Sequence, residues 1–312
     1  MDVVTLGPEE IRSAVSMPAA IDAVRNGFLA LRRGEFEMPT RTVLRDGGFL
    51  VMSTHHRPTA SAMIKTLSLD FDGRVPAIVG TVVWSELGHV RHLVADATEV
   101  TRIRTGAIVG VATDLLAPPE AKTCTLIGAG GQAADQVRAV HAVRPLTELK
   151  IVARGPERAR ALAKVLGEEL HLDTVHVETD VDEAVRDADI VCCATTSTTP
   201  LFSHLSLAGH AHVNAIGAFR PTMRELPDEL LAGATVVIDE RDAVLEESGE
   251  IIHALQAGAI TEDDLIELGT ALTDGIPKRV GRTVFKSVGV AMQDWAIADL
   301  LARACLGEGG DP

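Results

Sequence analysis

Thr123-Cys124-Thr125-Leu126-Ile127-Gly128-Ala129-Gly130-Gly131-Gln132-Ala133 decides how this chain is read. A short apolar run feeds straight into G-x-G-x-x-A, and a helical pattern follows to about Val143. That is the strand–turn–helix setting in which the pattern marks a dinucleotide site. Gly128 permits the tight turn, Gly130 lets backbone approach a pyrophosphate, and Ala133 is small enough for the helix to pack on the strand. The phosphate charge then rests on the helix N-terminus, where Gly131 and Gln132 stand. Glycine-rich turns without a ligand are common, so the flanking elements carry the argument more than the glycines do.

Downstream, residues 148–153, 174–177, 190–194, 211–216 and Thr235–Ile238 are short runs rich in Val and Ile, most of them separated by helical stretches. Alternation of this kind predicts a Rossmann-type, doubly wound parallel sheet with helices on both faces, an α/β fold. Upstream, the period is two from residue 41 to about 95. Runs 41–45 and 49–53 flank Asp46-Gly47-Gly48, which is hairpin chemistry, and 62–71, 75–85 and 90–95 continue as strands of a mainly antiparallel sheet. Ser16-Met17-Pro18 opens a helix with Ile21, Val24, Phe28 and Leu31 on one face and Gly34 as its stop. Asp96-Ala97-Thr98-Glu99 has the spacing of a capping box. It predicts a helix carrying Ile103, Ala107, Val111 and Leu115 on one face and ending at Pro118-Pro119. Residues 287–305 read as a last amphipathic helix, and 247–267 as a charged helix with a solvated face.

The chain has 312 residues, 46% of them apolar, enough for two domains and a self-sufficient core. With 29 basic against 44 acidic residues, its net charge is −15. That excess repels phosphate backbones and anionic headgroups, so neither nucleic acid nor a membrane surface is an expected partner. No apolar run approaches a membrane span, and MDVVTLGPEE has neither a basic nor an apolar signal region. The four cysteines show no C-x-x-C spacing, and Cys192 and Cys193 should point to opposite faces of a strand as buried thiols. A reduced, cytoplasmic protein is expected. Tyr is absent, which excludes a Tyr acid. The His pairs 55/56 and 89/92 lack a ligand framework, so no metal is expected.

The second strand of the parallel set runs into Arg154, where an NAD-preferring fold usually places Asp or Glu. Arg154, with Arg158 one turn on, suits a 2′-phosphate and favours NADP(H) over NAD(H); the plainer alternative is a solvated arginine. Three cations in the first part of the chain are candidates for the substrate. Arg41 begins a strand, Lys65 interrupts the apolar run Ala62-Met63-Ile64-Lys65-Thr66-Leu67, and Arg104 lies beside the core face of its helix. Any one of them is more often a surface residue; three converging on one cleft could clamp a carboxylate. His55 and His56 are further proton-donor candidates, and Glu86 and Asp294 could orient the cations.

The segments MPTR (38–41), the strand with Lys65, TRIRTGA (101–107), LIGAGGQA (126–133), CATTSTTPLF (193–202), NAIGAFRPTMREL (214–226) and TVFKSVGVAMQD (283–294) run through nearly the whole chain. In them it resembles the ornithine cyclodeaminase/mu-crystallin family. The resemblance implies a homodimer in which residues 1–117 with 287–312 form a substrate and dimerisation domain, and 118–286 an inserted dinucleotide domain. It implies that Arg41, Lys65 and Arg104 hold a carboxylate, and that Thr195, Ser197, Val213, Asn214 and Gly217 line the cofactor. True ornithine cyclodeaminases carry an Asp where this chain has Phe219, and a phenyl ring can neither take a proton nor pair with an ammonium. The segment looks instead like the branch that reduces cyclic ketimines. Reduction of a small α-imino acid to an amino acid is therefore expected, with Phe219 and His55 beside the substrate. An ammonia-lyase using NAD catalytically and a non-catalytic NADP-dependent binding protein are the alternatives.

Overall fold

A computed structural model describes residues 2–44, 48–70, 77–88, 91–276 and 281–306. Asp46 and Gly47 of the expected hairpin lie outside them, as do 71–76 and 89–90 at the ends of expected strands. The chain divides into two units, one of Met1–Ile108 with Val290–Pro312, the other of Val109–Gly289.

The first unit opens with β1 (Asp2–Leu6), α1 (Pro8–Ala14) and α2 (Met17–Arg32). Ser16 caps α2 by accepting from the Ala19 amide, and the helix closes in a Schellman turn, Glu35 N–H to Ala30 C=O and Gly34 N–H to Leu31 C=O. Then come β2 (Phe36–Glu37), β3 (Thr42–Leu44), β4 (Phe49–His56), β5 (Ser61–Leu69), β6 (Ile78–Glu86) and β7 (Arg91–Asp96). They form one sheet in the order β1-β7-β6-β5-β4-β2, with β3 on β4. Its pairings are antiparallel except β1 on β7. α3 (Ala97–Leu116) follows, started by the Asp96 carboxylate, which accepts from the Glu99 amide at 2.7 Å.

The second unit continues with β8 (Thr123–Ile127), α4 (Ala133–Val143), β9 (Glu148–Val152), α5 (Pro156–Leu170), β10 (Thr174–Glu178), α6 (Val181–Val185), β11 (Ile190–Cys193) and β12 (His212–Ala215). It is completed by α7 (Asp228–Ala232), β13 (Thr235–Ile238), α8 (Arg241–Glu247), α9 (Gly249–Gln256), β14 (Leu265–Glu267), α10 (Leu268–Asp274) and β15 (Thr283–Lys286). The sheet order is β10-β9-β8-β11-β12-β15-β13-β14, with every pairing parallel. Chain order reverses at the β8/β11 boundary, the switch point at which open α/β sheets hold ligands. Two apolar clusters cover the two faces; Cys124 and Cys192 belong to one and Cys193 to the other, as strand alternation requires. The fold is α/β with a Rossmann-type parallel sheet. α11 (Ala291–Leu306) returns to the first unit and packs on α2 and on β4 to β7.

Three elements differ from the sequence pattern. α3 is not amphipathic: residues 103–113 are buried without a gap, because Ala, Gly and Thr dominate it and leave no bulky side to turn outward. α11 is likewise buried on all sides from Ala291 to Asp299, so its Gln293 and Asp294 are interior groups. Residues 247–267 form no single solvated helix. They break into the end of α8, α9 and β14, and Glu250 is wholly buried. Its burial depends on Lys286, whose Nζ stands 2.8 Å from it, a pairing that local periodicity cannot reveal. Among the described residues, no helix is long and apolar enough to cross a membrane.

Candidate functional site

In the first unit the chemistry gathers around Lys65. On β5, alternation turns Met63, Lys65 and Leu67 toward the helices and Ile64 and Thr66 away. An ammonium is thereby placed among core side chains, with no exposure. Asp294, equally buried on α11, answers it: Lys65 Nζ donates to Asp294 Oδ1 at 2.7 Å. Arg104 of α3 brings its Nε to 3.4 Å from the same oxygen and donates through Nη1 to Gln293 Oε1 at 2.6 Å. Burial pushes the Lys65 ammonium down to about 8; the Asp294 carboxylate opposes that shift, and the charges of Arg104 and Arg41 add to it. Lys65 and Arg104 thus share one carboxylate, and the charge of Arg41 is felt at Lys65. Gln293 Nε2 and Asp294 Oδ2 are buried with no hydrogen-bond partner among the described residues. A buried polar cluster with excess positive charge, an open donor and an open acceptor suits a small ligand that carries a carboxylate and, on a separate group, a hydrogen-bond donor.

The two histidines separate. Met52 pairs with Lys65 across the β4–β5 ladder, whereas His55 pairs with Ala62. An odd offset from Met52 puts His55 on the opposite face of the sheet from Lys65, with its ring 3.4 Å from Glu37, so the structure removes it from the pocket expected for it. His56 keeps the inward phase, but its ring stacks with Phe36 and Trp295 and its Nδ1 bonds Thr59 at 2.8 Å. Glu86 pairs with Arg91 at 3.1 Å, away from this group. Gln293 was not foreseen; its signal was a Gln-Asp pair inside the apolar run that becomes α11.

In the second unit the glycine-rich turn sits at the C-terminal end of β8. Gly128 has φ of +111°, and a Cβ there would collide with the Ala194 carbonyl at the end of β11, so glycine is required twice over. At Gly130 a Cβ would meet nothing, and Gly130 and Gly131 are exposed. Ala133 is buried in an apolar cluster. Gln132 is the N-cap of α4 and makes no side-chain cap; apart from Ala133 N–H, which donates to Gly130 C=O at 3.1 Å, the first amides of the helix are left to another acceptor. Exposed backbone at Gly130 beside an uncapped helix start fits a pyrophosphate. Arg154, just after β9, and Arg158, in the first turn of α5, are exposed and make no hydrogen bond or ion pair among the described residues.

The loops after β11 and β12 meet beside this turn. Thr195 donates to Glu225 Oε1 through its amide at 2.7 Å and through its hydroxyl at 2.9 Å. Ser197 Oγ donates to the Thr199 carbonyl at 2.7 Å. Gly217 lies against Thr195 so closely that any Cβ would strike the Thr195 backbone. Val213 and Asn214 do not join this edge. Both are wholly buried in β12, and the Asn214 amide is used inside the unit by Thr113 at 3.0 Å and His212 at 3.1 Å. Phe219 is half-buried against the apolar cluster on its side of the sheet, with the Arg220 guanidinium 5.5 Å from its ring centre.

Residues 2–308 match the ornithine cyclodeaminase/mu-crystallin family. A Δ1-pyrroline-2-carboxylate reductase of Bacillus cereus is 38% identical over 222 residues, which covers 69% of this chain and 67% of that protein. The ketimine reductase mu-crystallin of Mus musculus is 30% identical over 302 residues, 94% of this chain and 93% of its own. Among solved structures, the Thermococcus litoralis Δ1-pyrroline-2-carboxylate reductase in complex with NADH and L-proline superposes with a TM-score of 0.91 at 27% identity, covering 99% of this chain and all of the other. An archaeal alanine dehydrogenase dimer with bound NAD gives 0.90 at 28% identity, covering 98% and 97%. Motifs, fold and comparisons agree that this chain belongs to the ornithine cyclodeaminase/mu-crystallin family.

Proposed function

We propose that the chain is an NAD(P)H-dependent reductase of small α-imino acids of the cyclic ketimine carboxylate type, which it converts to amino acids. The observation that carries this reading is the buried Lys65–Asp294–Arg104 cluster with its excess positive charge. Arg41 and Arg104 hold the substrate carboxylate, which fixes the imine in one orientation; such fixation can lower a barrier by several kcal/mol. Lys65 ionises near pH 8, so at neutral pH it carries a proton it can give to the imine nitrogen, making the carbon a better hydride acceptor. Asp294 holds the Lys65 ammonium in place and keeps it charged. The reduced nicotinamide, when bound, supplies the hydride that forms the new C–H bond. Gly128, Gly130, Gly131, Gln132 and Ala133 hold its pyrophosphate, and Thr195, Ser197 and Gly217 flank it. Exposed Arg154 after β9 and Arg158 in the first turn of α5 support NADP(H) over NAD(H).

The relatives' names support a small imino- or amino-acid substrate, and the dimeric dehydrogenase supports a homodimer. In the first unit, the sheet face away from the helices exposes Ile64 (51%) and Val83 (36%), an apolar surface suited to a second copy. Phe219 argues against ornithine cyclisation, because it offers no carboxylate to a distal ammonium. The test follows oxidation of NADPH and NADH with five- and six-membered cyclic ketimine carboxylates, beside ornithine with NAD monitored for ammonia. Turnover with a ketimine supports the proposal. Ammonia from ornithine overturns it in favour of the lyase, and cofactor binding without turnover of any imine overturns it in favour of a binding protein.

A further inference from the structure

Three buried ionisable groups of the second unit have no part in the reaction proposed above: Glu225, Glu250 and Lys286, all without exposure. Glu225 lies in the Arg-Glu-Leu stretch after β12, and both its oxygens are fully engaged. Oε1 accepts from the Thr195 amide and hydroxyl; Oε2 accepts from the amides of Gly217 at 2.8 Å and Ala218 at 3.1 Å. Thr195 belongs to the loop after β11, Gly217 and Ala218 to the loop after β12. One carboxylate therefore joins two loops at the ends of neighbouring strands. Lys286, at the end of β15, donates to the Ala218 carbonyl at 2.5 Å and stands 2.8 Å from Glu250 Oε1. The backbone of the same stretch adds two more ties, Arg224 N–H to Ser197 C=O at 2.8 Å and Leu201 N–H to Glu225 C=O at 2.9 Å. Burial pushes the Glu225 carboxyl up and Lys286 pulls it back. Four donors converging on two oxygens require the ionised form, since a protonated carboxyl would turn a donor toward another donor.

We infer that Glu225 is a positioning residue: it fixes the β11 and β12 loops against each other and so sets the shape of the cofactor-binding edge, with Lys286 and Glu250 beneath it. The inference rests on the proposal that a nicotinamide dinucleotide binds over the ends of β8, β11 and β12. Glu225→Gln keeps size and shape but turns an amide NH₂ toward donors, which releases one of the two loops. Charge-assisted hydrogen bonds of this kind each govern about tenfold or more in an equilibrium.

The experiment titrates the purified chain with NADPH and NADH by reduced-nicotinamide fluorescence, and measures KM, kcat and Tm alongside. Val244→Ala, a cavity substitution in the apolar core of α8, serves as the destabilised control. Glu225→Gln should raise the Kd and the KM for cofactor at least tenfold, while Val244→Ala lowers Tm and leaves both unchanged. Glu225→Asp, which keeps the charge but is one methylene shorter, should recover part of the affinity; it carries the test alone if Glu225→Gln does not fold. Cofactor affinity unchanged in the folded Glu225 variants overturns the inference while leaving the cofactor reading intact. A wild-type chain that binds neither cofactor overturns that reading and the inference with it.

Discussion

Replacing Asp294 by Asn tests the electrostatics of the cation cluster directly. Burial holds the Lys65 ammonium at about 8 against an ordinary 10.5, so its charged form is disfavoured by about 3 kcal/mol even with Asp294 in place. The groups facing it are Asp294, which supports the charge, and Arg104 and Arg41, which oppose it. Asn keeps the shape and removes the only supporter named, and an opposite charge at such a distance is worth about 1–3 pH units. The Lys65 transition should then fall from about 8 to between about 5 and 7. If the protonated lysine is the reactive form, activity is lost as pH rises through that value, so the alkaline limb moves to acid. At pH 7.5 about three quarters of wild-type molecules carry the proton; with a transition at about 6, only about 3% do, a loss of roughly 25-fold. Unlike a lost contact, that loss is recovered on acidification. The assay is kcat/KM for a cyclic ketimine carboxylate with NADPH between pH 5 and 10. The substrate imine titrates too, but identically in both proteins, so the displacement between the two curves is the readout. A variant slowed equally at every pH, with its limb still near 8, would refute the assignment of that limb to Lys65.

The two motif glycines should behave differently. Gly128→Ala forces a Cβ against the Ala194 carbonyl at φ of +111° and should lower stability by more than about 1 kcal/mol in a denaturant titration. Gly130→Ala meets nothing in the fold, so Tm should hold while cofactor Kd rises. Arg154→Asp should shift the ratio of NADPH to NADH efficiency toward NADH by at least tenfold, measured as kcat/KM for each cofactor; an unchanged ratio makes Arg154 a surface residue. Ile64→Lys with Val83→Glu charges the open sheet face of the first unit; in sedimentation velocity the proposed dimer should be seen for wild type and monomer for the variant.

The parallel sheet was legible because its strands are short Val- and Ile-rich runs punctuated by helices, and β8 and β13 fall on their expected residues. Lys65 stood out as a charge inside an apolar strand. Of the two carboxylates offered as its partner, Glu86 and Asp294, the structure selects Asp294; it lies 229 residues further on, so no local pattern could choose between them. The reversed face of His55 was half visible: Leu50, Met52, Thr54 and His56 share a phase, but the pairing of Met52 with Lys65 is a matter of register, which the sequence does not print. α3 and α11 were misjudged as amphipathic for a physical reason. Small residues let neighbours approach from every side, so apolar periodicity no longer separates inside from outside. Glu250 falls in the stretch that reads as a solvated face, and Glu225 and Lys286 carry no local signal; only their convergence makes them interior groups.

The position of β15 bears on how the molecule is made. It lies between β12 and β13, although it is translated after both. Until residues 283–286 leave the ribosome, the growing sheet has two unjoined portions, each with an exposed, hydrogen-bond-hungry border. The first unit waits for the same stretch of synthesis, since α11 follows β15 directly and brings Asp294 to Lys65. Each unit is completed by contacts of long sequence separation, the class that closes slowly. During that interval the nascent chain carries open strands and a buried-to-be lysine without its counter-ion, which makes the time before β15 and α11 emerge the period in which a chaperone would matter most.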